Sequence, residues 1–170
     1  MSSANGFKIA GRLYVITQQS AYPSIPGGLQ GYGGSKPRLL GTIAGPTSEI
    51  DSPTAIATDR RGNMFVANGF GDDSCQTCVI TEYGKGQYGD VAPMASIRDR
   101  VGWTYGIAID AENDIYIAGQ QPQSSDGVNG VYAYKNGSYG RSRQLDLHHE
   151  GTGIALDSHK RIYLSTINNG

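Results

Sequence analysis

The sequence predicts an all-β protein built from a repeated unit of four antiparallel strands, and three observations support this fold class. First, three separate phrases of the sequence recur with nearly the same spacing. Second, the chain has 25 Gly, and its 11 Tyr far outnumber its 3 Phe, a composition that suits short strands joined by tight turns. Third, no segment shows a convincing helical apolar period, so almost no helix is expected.

The internal repeat organises the whole chain. The first phrase occurs three times, as PTAIATD (residues 53–59), TYGIAID (104–110) and GTGIALD (151–157). The second phrase occurs four times, as RLYV (12–15), NMFV (63–66), DIYI (114–117) and RIYL (161–164). A third element is a strand that ends in a tyrosine, at Tyr32, Tyr83 and Tyr134, and each tyrosine lies 51 positions after the one before it. Three phrases that share one period indicate one structural unit.

Each full unit is expected to contain four strands, which we call a, b, c and d in chain order. Strand a keeps small residues beside Ile56, which suits a strand crowded near a central axis. Strand b is apolar at consecutive positions and should be buried on both faces. Strands c and d become progressively more polar and should lie outward, with strand d near residues 39–43, 94–97 and 143–147.

The stretch GNMFVANGFGDDSCQTCVITEYGKGQYGDVAPMASI (62–97), with PTAIATD before it, resembles the blades of NHL-type β-propellers, including bacterial virginiamycin B lyase-like and gluconolactonase-like proteins. The resemblance extends over nearly the whole chain from about residue 11. It implies a β-propeller architecture. It implies little about activity, because this fold carries enzymes, binding proteins and scaffolds alike.

The chain of 170 residues is expected to be one repeat domain that supplies a little over three blades. A partial blade covers about residues 7–50, two full blades cover about 53–101 and 104–150, and a second partial blade covers 151–170. Closed propellers typically have 4 to 8 blades. Because open blade faces and strand edges favour association, we expect chains to complete one another in a dimeric ring or a head-to-tail polymer. A truncated or engineered fragment of a longer propeller is the alternative.

Composition excludes several partners. The formal net charge is −1 and no dense Lys/Arg run occurs, so binding to nucleic acid or to an anionic membrane is not expected. No apolar stretch approaches the roughly 20 residues of a spanning helix. The first residues, MSSANG, have no basic region followed by an apolar one, so no secretion signal is expected, and the chain is either cytoplasmic or trimmed.

The turn between strands a and b contains a repeated aspartate. Asp59 can cap its turn, and Gly62 can adopt a positive φ, while Asn113 and Lys160 occupy the Gly62 position in later units. Asp110 and Asp157 repeat with the same turn pattern. We therefore interpret Asp59, Asp110, Asp157 and Gly62 as turn-forming rather than catalytic.

Cys75 and Cys78 lie in the loop between strands b and c of the second unit. A redox motif needs a helix amino terminus, and a zinc site needs further ligands that two cysteines cannot supply. The pair is therefore expected to form a local disulfide, which favours an extracellular or periplasmic location, with free thiols as the alternative. Asp72 and Asp73 beside it could hold a divalent cation, but solvated carboxylates are the simpler expectation.

His148, His149 and Glu150, together with His159, form the one cluster suited to acid–base or metal chemistry. Lyase-like members of the resembled family use His and Glu with a divalent metal, but no flanking motif matches here. No catalytic residue or cofactor is therefore assigned.

Trp103 and Tyr105 precede strand a of the third unit, where an aromatic ring could bind a carbohydrate or a peptide, or could pack between blades. The first functional hypothesis is a non-enzymatic module that works through self-assembly and binding. The alternative is a metal-assisted lyase or lactonase that uses the histidine cluster.

Overall fold

A computed structural model describes residues 12–17, 20–21, 24–25, 28–34, 36–68, 79–98, 103–120, 129–136, 141–147 and 150–167. Within these ranges the chain is all-β, which confirms the predicted class, and its helical content is one 3-10 turn at Pro46–Ser48. No helix among them has the length and apolar character needed to cross a membrane.

The described strands form four antiparallel sheets and one small hairpin. The first sheet contains β1 (Arg12–Thr17), β4 (Gly28–Gly33) and β5 (Arg38–Ile43), and the hairpin pairs β2 (Ser20–Ala21) with β3 (Ser24–Ile25). The second sheet contains β6 (Ala55–Thr58), β7 (Met64–Asn68), β8 (Val79–Tyr83) and β9 (Ala95–Ile97). The third contains β10 (Trp103–Ile109), β11 (Ile115–Gln120), β12 (Asn129–Tyr134) and β13 (Arg141–Leu147). The fourth pairs β14 (Glu150–Leu156) with β15 (Ile162–Ile167).

Strand order within the sheets follows chain order, as the repeat predicts. The second and third sheets each contain the four predicted strands in the order a, b, c, d. Among the described residues, the first sheet contains strands b, c and d, and the fourth contains strands a and b. The register explains why two phrases share one period, because the second phrase and the repeated tyrosine are directly paired. The pairs are Leu13 with Tyr32, Met64 with Tyr83, and Ile115 with Tyr134.

Each sheet presents two faces, because side chains alternate along a strand. We call the face that carries Met64 and Val66 the leading face, since it packs on the preceding sheet, and the face that carries Phe65 and Ala67 the trailing face. All five residues of β7 are buried. The prediction that strand b is buried on both faces is therefore confirmed in the second unit.

Two apolar cores lie between successive sheets, and both join a trailing face to a leading face. The first core packs trailing-face residues of the first sheet against leading-face residues of the second; its buried members are Leu29, Ile43, Met64, Val66 and Tyr83. The second packs the second sheet against the third; its buried members are Phe65, Ala67, Ile80, Ile97, Ile107, Ile115, Ile117, Tyr132 and Tyr134. The molecule is thus a stack of sheets in one sequential direction.

Strand c is more buried than its composition indicates. Four of the five residues of β8 are buried, and only Glu82 is partly exposed. Strands c and d do lie outward of strand b, as predicted, since the second sheet has the order β6-β7-β8-β9. Strand c is nevertheless buried because the packing between neighbouring sheets extends to it, while exposure rises at strand d, where Leu39 is 53% exposed.

Tyr88, in the connection between β8 and β9, fastens the second sheet to the first. Its ring lies against Gly31 and Gly41, and a Cβ at Gly31 would approach the Tyr88 hydroxyl oxygen to 2.6 Å. The next residue, Gly89, donates its backbone N–H to the carbonyl of Thr42 at 2.7 Å. At Gly41 a Cβ would overlap the base of the Tyr88 side chain, so this close approach requires glycine there.

Candidate functional site

The turns between strands a and b lie at one end of the second, third and fourth sheets. Each contains one residue with a left-handed backbone, at Gly62 (φ 88°), Asn113 (φ 65°) and Lys160 (φ 61°). Gly adopts this conformation freely and Asn tolerates it, whereas Lys does so at an energetic cost. The three positions are those that the repeat aligns.

The aspartate of each turn accepts hydrogen bonds from backbone N–H groups of the same turn. These bonds run from Asn63 to Asp59 Oδ1 (2.8 Å), from Glu112 and Asp114 to Asp110 Oδ1 (both 2.9 Å), and from His159 (2.8 Å) and Arg161 (2.9 Å) to Asp157 Oδ1. A carboxylate held in this way closes its turn. At Asp157 the hydrogen bond from the Arg161 backbone lowers the pKa of the carboxyl group. The arrangement favours a structural role over general-base chemistry.

Lys160 joins the turn of the fourth sheet to the turn of the third. Its Nζ lies 3.1 Å from Asp110 Oδ2 and 2.5 Å from Glu112 Oε2, and the Asp110 side chain is almost fully buried. Hydrogen bonds to Glu112 and Asp110 raise the pKa of Lys160. The ammonium therefore remains charged and links two successive sheets.

A cleft of about 240 Å³ lies among these three turns and is lined by residues such as Thr58, Ile109, Leu156 and Ser158 together with the turn aspartates. Its carboxylates already bond to backbone N–H groups and, for Asp110, to Lys160. The cleft is therefore better explained as the meeting point of three turns than as a ligand site.

A second cleft, of about 290 Å³, lies beside the connection between the first and second sheets. Its polar wall is an ion pair between Arg98 and Glu49, and Ser96 Oγ donates to Glu49 Oε2 at 3.3 Å. Glu49 (φ 55°) and Ser52 (φ 46°) both have left-handed backbones, which costs energy in residues other than glycine. This short connection is therefore held tightly in an unfavourable conformation.

Asn68 is the residue that holds this connection, and sequence reasoning missed it. Its side chain is fully buried; Oδ1 accepts the backbone N–H of Asp51 at 3.1 Å, and Nδ2 donates to Thr81 Oγ1 at 3.1 Å and to the carbonyls of Val66 and Val79 at 3.3 Å. An Asn at the end of an otherwise apolar strand was the available signal. It is not a repeated residue, because Gly119 and Thr166 occupy the same place in later units.

Tyr83 supplies a second anchor for the same connection. Its hydroxyl donates to the backbone carbonyl of Ser48, and burial raises the pKa of Tyr83 to about 12. The tyrosine therefore remains a neutral hydrogen-bond donor over the ordinary pH range. This contact gives the repeated tyrosine of strand c a defined packing role in the second unit.

The sequence predicted that Trp103 and Tyr105 precede strand a of the third unit, but both lie within that strand, β10. Relative to the repeat, β10 begins three residues earlier than β6. Both side chains are half-buried, and Tyr105 lies at a bulge in the pairing of β10 with β11. At the matching place Thr54 and Thr152 donate their hydroxyls to carbonyls of strand b. A role for the two aromatics in binding stays a prediction.

The remaining candidates lie largely outside the described residues. His148, His149, Cys75, Cys78, Asp72 and Asp73 are in undescribed segments, and Glu150 is described only as the first residue of β14. His159 lies in an exposed turn, where Ser158 Oγ is 3.4 Å from its Nδ1. In the part of the chain that the structure covers, no three potential metal ligands come together.

The faces at the two ends of the described stack carry exposed apolar and aromatic side chains. On the leading face of the first sheet, Leu13 is 44% exposed and Val15 is 38% exposed. On the trailing face of the fourth sheet, Tyr163 is 52% exposed. We call Leu13 and Val15 the leading end face, and Tyr163 with its neighbour Ser165 the trailing end face.

No protein-family model matches the chain, and no curated protein sequence matches it either. The resemblance to NHL-type propellers therefore stays a prediction based on the repeat phrases.

Proposed function

We propose that this chain is an arc of a β-propeller that acts without catalysis, by associating with other copies of itself through its two end faces. The observation that carries this proposal is a contrast in burial between equivalent positions of the repeat. Met64 and Ile115 are fully buried, whereas Leu13, at the same position, is 44% exposed. Such contrasts are expected where a stack of sheets is left open.

The contrast extends to both ends of the stack. Val66 is fully buried and Val15 is 38% exposed, while Phe65 is 4% exposed and Tyr163 is 52% exposed. Covering the exposed part of one such side chain gains on the order of 1 kcal/mol, so several together favour association. The sequence retains apolar residues at the positions that an adjoining sheet would cover.

A propeller architecture accounts for the remaining features. Four-stranded antiparallel sheets that stack sequentially, with strand a of one sheet against strand a of the next, are the elements of such a fold. The small residues of strand a support it, since a Cβ at Gly106 would lie 3.0 Å from the backbone of Gly153 in the next sheet. Such close approach suits strands that converge on an axis.

Light scattering over a series of protein concentrations tests this proposal. The unmodified chain is expected to exceed the mass of one copy, and Val15→Asp is expected to shift it toward a single copy. Met94→Asp is the matched control, because Met94 is 53% exposed on the connection before β9, away from both end faces. Association that Met94→Asp abolishes and Val15→Asp does not would overturn the proposal, as would a cooperatively folded single copy at every concentration.

A further inference from the structure

We infer, building on the proposed self-association, that the contact between copies is head to tail. In this arrangement the leading end face of one copy packs on the trailing end face of the next. The partner is thus a second copy of the chain, and each copy uses two different surfaces. The inference rests on the polarity of the contacts that the chain makes within itself.

The two internal cores show this polarity directly. Tyr14 and Ile16, on the trailing face of the first sheet, pack against the cluster that contains Met64 and Val66. In the next core, Phe65 packs in the cluster that contains Ile115 and Ile117 of the following leading face. A trailing face therefore accepts a leading face in both cases.

The third junction follows the same rule with different residues. Ala118 and Val131, on the trailing face of the third sheet, are 0% and 3% exposed, and the fourth sheet packs beside their strands through β14. Lys160 of the following turn also reaches back to Asp110 of the preceding one. All three junctions thus run in the same direction.

The end faces are suited to continue this series and not to pair with themselves. Leu13 and Val15 correspond to Ile115 and Ile117, which pack on a trailing face. Tyr163 corresponds to Phe65, which receives a leading face. Sheets have a right-handed twist, so the two faces of a sheet are not equivalent, and stacking one leading face on another would need a geometry absent from all three junctions.

Two variants separate a head-to-tail contact from a face-to-itself contact. Val15→Asp disables the leading end face, and Tyr163→Asp disables the trailing end face. Native mass spectrometry is applied to each variant alone and to their equimolar mixture, with circular dichroism to verify that each variant is folded. Head-to-tail contact predicts that each variant alone is a single copy. It predicts that the mixture forms a dimer with one copy of each variant, in which the intact leading end face of one packs on the intact trailing end face of the other.

The outcomes distinguish this inference from the proposed function. If unmodified chains associate but either variant alone still forms a full dimer, the contact pairs like faces, and the inference fails while self-association stands. If unmodified chains grow into a ladder of masses and neither variant does so alone, head-to-tail contact stands. If unmodified chains stay single, both fail. Val15→Thr and Tyr163→Phe, which add no charge, should dimerise when each is measured alone, so a loss in them would indicate misfolding.

Discussion

Equivalent residues in the inner and end sheets have the same sequence pattern but different surroundings. Ile115 of the third sheet is fully buried, and Ile162, at the same position in the fourth, is 37% exposed. Ile115 lies between two four-stranded sheets, whereas the fourth sheet contributes only β14 and β15. The repeat therefore determines which way a side chain points, and the neighbouring sheets determine whether it is buried.

The largest effect on stability is expected in the core between the second and third sheets. Ile115→Ala removes methyl groups from a core between two sheets and should lower the free energy of unfolding by about 2–5 kcal/mol. Ile162→Ala should cost only roughly 1 kcal/mol, because that side chain is already partly in water. Urea unfolding of the two variants measures the difference. Equal losses would mean that the fourth sheet is as well packed as the third.

A smaller effect is expected where a buried amide holds a connection. Asn68→Ala leaves the backbone N–H of Asp51 without its acceptor and removes the hydrogen bond that Thr81 Oγ1 accepts, which should cost about 1–3 kcal/mol. Thr166→Ala, at the same repeat position in the exposed β15, is the control and should change stability by less than about 0.5 kcal/mol. Thermal unfolding of both variants tests this, and a neutral Asn68→Ala would contradict the role of the amide.

The third prediction concerns the free energy of unfolding at acidic pH. Burial acts to raise the pKa of Asp114, but hydrogen bonds from Lys135 and the backbone of Asn136 outweigh it, so the pKa is lowered. A lowered carboxyl pKa contributes stability that is present above the ordinary Asp value of about 4 and is lost as pH falls through the lowered value. Asp114→Asn should therefore flatten the fall in unfolding free energy between neutral pH and pH of about 3.

Lys135→Met is the matched variant for that experiment, because it removes the cation and keeps the carboxyl group. It should also flatten the acid dependence, though less than Asp114→Asn does. A dependence that stays as steep as in the unmodified chain in both variants would show that other carboxyl groups control the acid response.

The smallest effect concerns the left-handed turn of the fourth sheet. Lys160→Ala loses the ion pairs to Asp110 and Glu112 and keeps a strained backbone at φ 61°, whereas Lys160→Gly loses the same pairs and relieves the strain. The Gly variant should therefore be more stable than the Ala variant by about 1 kcal/mol. Chemical denaturation with and without added salt measures this. Identical stability of the two variants would contradict the strain.

Much of the fold could be predicted from the sequence, because the pairing of strands repeats with the phrases. The consecutive apolar residues of strand b predicted that both of its faces are buried, as β7 shows, and the alignment of Gly62 with Asn113 indicated the turn positions. Non-repeated contacts could not be predicted in this way. Asn68 and Tyr88 act through residues distant in sequence, and Gly31 shows its importance only when the Tyr88 ring is placed against it.

The exposure of individual side chains on the end faces could not be predicted from the sequence. The phrase RLYV gives no sign that Leu13 is exposed, since the similar NMFV contains the buried Met64. Exposure depends on what lies in front of the first sheet, which is a property of the assembled stack. The binding roles of Trp103 and Tyr105 also stay predictions.

Native mass spectrometry of the unmodified chain is the most direct test of the central claim, that open sheet faces at the two ends of the stack are covered by a second copy. Species heavier than the 18.1 kDa chain are expected, at whole multiples of that mass. A folded species of 18.1 kDa that persists at every concentration would contradict it.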